Sequence, residues 1–103
     1  MTTLSVASDH QGPLLGALTR RLRAWSLSSW QHADRIGQTR TALQELADLA
    51  GGAQGRPAPR VPELSALALA DQLMVLGREA NAAGRAEDAA MVLERLTGAL
   101  GLR

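Results

Sequence analysis

The sequence predicts an all-α domain, a small four-helix bundle built of two antiparallel helical hairpins. Three observations carry this. The apolar residues are Ala and Leu in the main, with no Phe, no Tyr, one Ile and four Val; such residues form helices, whereas strands draw on β-branched and aromatic ones. Apolar positions recur every three to four residues rather than alternating. A single stretch rich in Gly and Pro, residues 51–62, divides the chain into halves.

The elements follow in order. Residues 1–11 read as a flexible polar tail without the basic and apolar blocks of a signal peptide. Pro13 suits a first helical turn, where no amide hydrogen is needed. From there Leu14, Leu15, Leu18, Leu22 and Trp25 share one face. Ser28 and Gln31 have the spacing of a capping box, which favours a break near Ser26–Ser29. One long bent helix from Pro13 to Ala50 is the competing reading and would leave three helices. The second segment places His32, Ile36, Leu43, Leu46, Ala47 and Ala50 on one stripe, with Gly37 inside it and Gly51–Gly52 at its end. Pro62 and Glu63 are placed to open a third helix, whose main stripe is Leu69, Leu73, Leu76 and Ala80. Ala83–Gly84 makes a tight turn. A fourth helix over 86–100 buries Ala89, Val92, Leu93, Leu96 and Leu100, and Gly98 and Gly101 are expected to fray its end. Residues 12–103 thus read as one domain, with its linker at 51–62.

The last hairpin resembles a single tetratricopeptide repeat over residues 70–103. The pattern is carried by Leu73, Leu76–Gly77 and Ala80 on one helix and by Ala89 and Leu93 on the next, with Gly84–Glu87 where such repeats turn. Leu73 and Ala80 stand where the family has aromatic residues, and Gly101 where it has Pro. The resemblance implies an antiparallel helical pair with Gly77 and Ala89 at the close approach, and a role in protein binding. A tandem array is excluded, because shifting the pattern back by one repeat lands on the Gly/Pro linker.

Composition removes several classes of function. Without Cys there is no disulfide and no thiolate. All eleven cationic side chains are Arg, so a phosphate-binding loop that needs Lys cannot form. His10 and His32 are the two histidines, and no pair of metal-ligand spacing accompanies them. His32 and Asp34 lie two apart and point to opposite sides of a helix. No Gly-x-Ser-x-Gly elbow is present. The chain is therefore read as non-enzymatic, with no cofactor and no metal. No apolar run approaches a membrane span, and the expected compartment is the cytoplasm.

Two functional readings remain. The first is a protein-interaction module, an adaptor or accessory subunit. Its candidate contact residues are Trp30, Leu64, Val75 and Met91, which lie off the apolar stripes. Trp30 projects with Asp34, Gly37 and Asp48 on a helix starting at Ser28; it either packs under a helix corner or anchors a partner. Leu64 and Val75 stand among Asp71, Arg78 and Glu79. An apolar patch of this kind on so small a domain predicts a homodimer. The alternative is a small nucleic-acid-associated regulator that uses Arg20, Arg21, Arg23, Arg35 and Arg40. Against it stand a net charge of only +1 and the total replacement of Lys by Arg, which reflects a GC-rich coding sequence rather than a binding face.

Overall fold

A computed structural model describes residues 12–53, 55 and 58–102; the expected tail 1–11, with His10, lies outside them. The chain is an all-α bundle. Its elements are α1 (Gly12–Arg23), α2 (Leu27–Gln31), α3 (Arg35–Ala53), a 3-10 turn (Ala66–Ala68), α4 (Leu69–Ala82) and α5 (Ala86–Ala99).

The first half breaks twice. The Ala24 and Trp25 amides donate to the Arg21 and Leu22 carbonyls and close α1 in a tightened turn. Ser26, in extended backbone, then caps α2 by accepting from the Ser29 amide at 3.3 Å. The cap is therefore Ser26 and not the Ser28–Gln31 box, and the helix it starts is one turn long. Ala33 adopts φ 51°, a left-handed conformation that stops α2 and re-aims the chain into α3.

The hairpin expected in the first half does not form. The buried face of α1 (Leu15, Leu18, Leu22) packs on α4, and α1 and α3 scarcely meet. Leu15 lies against Gly77, and Arg23 against Asp71, so α1 and α4 are antiparallel. The nearest atoms to a side chain added at Gly77 all belong to Leu15. The close approach at this glycine is thus to α1.

α3 and α4 run parallel, because residues 58–65 lie along α3 before α4 begins. The Leu64 carbonyl accepts from Arg40 near the start of α3, whereas Ala50 near its end faces Glu79 across the groove described below. α3 also continues through Gly51–Gly52 to Ala53, past its expected end. Pro62 and Glu63 do not open α4. The carbonyls of Pro62 and Leu64 are taken by the side chains of Gln72 and Arg40, and no helix begins until the 3-10 turn, which follows Ser65 in extended backbone.

α5 follows the expected course. Ala89, Val92, Leu93, Leu96 and Leu100 are all buried. Gly84 and Gly101, at φ 80° and 74°, end α4 and α5 in the same way. The Arg85 and Leu102 amides reach back to the Ala80 and Thr97 carbonyls, while those of Gly84 and Gly101 reach Asn81 and Gly98. Gly101 thus caps α5 rather than fraying it. Leu69, Leu73 and Ala80 form the centre of the core, whereas Leu76 is only half-buried. Among the described residues two polar ones are fully buried. Thr19 and Thr39 return their hydroxyls to the Leu15 and Arg35 carbonyls one turn earlier, at 2.9 and 2.8 Å, which satisfies them without a partner elsewhere.

Candidate interaction site

The returning segment 58–65 is the feature around which the surface is organised. Three long polar side chains hold it. Gln44 of α3 accepts from the Val61 amide at 2.9 Å and donates to the Pro59 carbonyl at 3.4 Å. Arg40 donates to the Leu64 carbonyl at 2.8 Å and lies 3.8 Å from the Glu63 carboxylate. Gln72 of α4 donates to the Pro62 carbonyl at 3.0 Å. Proline-rich backbone cannot satisfy itself in a helix, so these side chains supply the missing partners and fix the segment as a strap across α3 and α4.

The strap leaves a groove of about 860 Å³ on its α4 side. Ala47 and Ala50 of α3 give one wall, Ala68 of the 3-10 turn and Val75 and Leu76 of α4 the other, and Val61 and Leu64 close the strap side. Small alanines on α3 make the depression possible; larger side chains at 47 and 50 would fill it. The rim is charged in a divided way, with Asp71 and Glu79 on α4 and Arg60 on the strap. The Gln72 side-chain oxygen, also in this wall, is buried and finds no hydrogen-bond partner among the described residues. A second depression of about 530 Å³ lies on the other side of the strap, against Arg40, Gln44 and Asp48.

No protein-family model, curated protein or solved structure matches this chain.

Of the residues singled out from the sequence, the fold brings Leu64 and Val75 together, 49% and 54% exposed on the same groove. Met91 is 64% exposed on α5 and belongs to no depression found among the described residues. Trp30 is a correction. It is 1% exposed and cannot meet a partner in this conformation. Its ring stands edge-on to Trp25 at 4.9 Å, and the Arg35 guanidinium lies 4.3 Å over the Trp25 ring while donating to the Ser29 carbonyl at 3.0 Å. The cluster staples α2 to the start of α3. The outward placement of Trp30 assumed a helix phased from Ser28; the turn starting at Leu27 and the kink at Ala33 change that phase. His32, expected on the buried stripe, is exposed for the same reason.

The arginines are occupied locally rather than gathered on a face. Arg21 donates to the Leu102 carbonyl at 3.0 Å, and Arg23 pairs with Asp71 at 2.9 Å. Arg35 and Arg40 hold the corner and the strap as described. Arg20 is exposed. Among the described residues no cluster of three His, Asp or Glu side chains could share a metal ion, and no helix is long and apolar enough to cross a membrane.

Of the strap pins, Gln44 and Gln72 were not singled out from the sequence, and Arg40 was read only as part of a possible phosphate-binding face. Each sits beside an apolar stripe and reads as an ordinary solvent-facing residue. The signal available was indirect: twelve residues with three Pro need hydrogen-bond partners from elsewhere.

Proposed function

We propose that the protein is a non-catalytic protein-interaction module, an adaptor or accessory subunit of the cytoplasm, whose docking surface is the groove between the strap, α3 and α4. The observation that carries this reading is the groove itself: an apolar depression of about 860 Å³ with Leu64 and Val75 exposed on it. Apolar side chains held open to water around a concave surface gain free energy when a partner covers them, at roughly 25 cal/mol per Å² buried. The divided charges of the rim supply orientation. A partner segment gains by presenting a cation toward Asp71 and Glu79 and an anion toward Arg60. The strap is pinned at three carbonyls and one amide, so little ordering remains to oppose binding.

Affinity capture from the native cell tests this reading. Val75→Glu places a charge in the groove at a position already exposed, so folding is unaffected. The wild-type chain and Met91→Glu should retain the same specific partner, and Val75→Glu should lose it. Equal capture by all three would show that the groove is not the docking surface. The nucleic-acid alternative gains no support from this arrangement, since four of its five arginines serve packing or strap contacts.

A further inference from the structure

The geometry points to a second copy of this chain as the occupant of the α4 face, paired through a two-fold axis at Val75; this rests on the reading of that face as a docking surface. Ala68, the last residue of the 3-10 turn, and Asp71, Val75, Arg78 and Ala82 of α4 follow one another at intervals of three and four residues, so they form one stripe that starts at the turn and runs along α4. Asp71, Val75, Arg78 and Ala82 are exposed, and Ala68 is half-buried at the stripe's start.

The stripe is complementary to itself when reversed. At ~1.5 Å per residue, Asp71 lies ~6 Å before Val75 and Arg78 ~4.5 Å after it, while Ala68 and Ala82 lie ~10.5 Å to either side. A second α4 laid antiparallel therefore sets Val75 on Val75, Asp71 against Arg78 at two equivalent places, and Ala68 against Ala82 at both ends. The alanines allow the helices to approach closely. Laid parallel, the same stripe would set Asp71 on Asp71 and Arg78 on Arg78.

A foreign partner would impose no such symmetry on the stripe, whereas an isologous dimer requires it.

Charge reversal and mixing test the register. In sedimentation equilibrium at tens of micromolar the wild-type chain should weigh twice its 10.9 kDa. Asp71→Arg and Arg78→Asp each oppose like charges at both contacts and should weaken the dimer by at least ~100-fold. The two variants mixed in equal amounts should recover a dimer, because each contact then holds opposite charges again. Met91→Glu should dimerise as the wild type does. A wild-type monomer, single variants that still dimerise, or a mixture that stays monomeric would each overturn the proposal. Circular dichroism checks that the variants fold; if one does not, Asp71→Asn and Arg78→Gln replace them, each weakening the dimer, with partial recovery on mixing because the mixed dimer keeps one intact contact. A monomeric wild type that still captures a partner through Val75 overturns the dimer alone. A monomer whose capture Val75→Glu leaves unchanged overturns both readings.

Discussion

The contact between α1 and α4 can be tested at a single methyl group. Gly77 is buried, and a Cβ built on it would stand 2.8 and 2.9 Å from the two Leu15 methyls and 3.4 Å from Leu15 Cγ. Leu15 is itself buried, so it has little room to retreat. Gly77→Ala gains about 1 kcal/mol of helix propensity and loses about 1–3 kcal/mol to overpacking. The net expectation is a destabilisation of about 0–2 kcal/mol. Gly16 is the control. It lies in α1 with nothing within 4 Å of its would-be Cβ, so Gly16→Ala should simply stabilise, by about 0.5–1 kcal/mol. A double-mutant cycle isolates the clash. Leu15→Ala alone should cost about 2–5 kcal/mol, but in that background Gly77→Ala should become favourable, with a coupling of about 1–3 kcal/mol. Urea unfolding followed by far-ultraviolet circular dichroism measures all five proteins, the wild type included. If Gly77→Ala stabilises as much as Gly16→Ala and the cycle shows no coupling, then α1 does not pack on α4 at this register.

Trp30→Ala should destabilise by about 3–5 kcal/mol, because a fully buried indole leaves a cavity at the α2 corner; a loss under about 1 kcal/mol in urea unfolding would place Trp30 at the surface after all. Gln44→Ala should release the strap without unfolding the bundle, and hydrogen exchange should show protection lost at the Val61 amide while the amides of α5 keep theirs. The double substitution Arg20→Gln with Arg23→Gln should change stability by under about 1 kcal/mol, since the pair from Arg23 to Asp71 is exposed. Titration with duplex DNA should find no salt-dependent binding for this double variant to lose.

The helical class and the core of α5 were legible because both depend on local period. Leu15, Leu18 and Leu22, and Leu93, Leu96 and Leu100, each repeat at the spacing that buries one face. The break after Arg23 was legible from a run of serines, though the cap moved from Ser28 to Ser26. The helix partners were not legible. Antiparallel neighbours are the default for helices joined by a short loop, and nothing local reveals that residues 58–65 lie along α3. Pro62 and Glu63 carry every local mark of a helix start, yet the Gln72 and Arg40 side chains occupy the carbonyls a helix would use. Leu64 and Val75 could be picked out by their place off the apolar stripe. The groove that joins them exists only because the strap crosses beside them. Trp30 could be read either as packing under a helix corner or as anchoring a partner; its burial follows the first reading, and the kink at Ala33 that sets it had no local mark.

The measurement that bears most directly on the interaction reading is site-specific photo-crosslinking in the native cell, with a photoreactive amino acid placed at Val75 and, separately, at Met91. Both positions are exposed, so both probes are equally free to react and neither disturbs the core. The account predicts a discrete adduct from position 75, at the mass of two chains if the α4 dimer forms, and none from position 91. No adduct from position 75, or the same adducts from both positions, would contradict it.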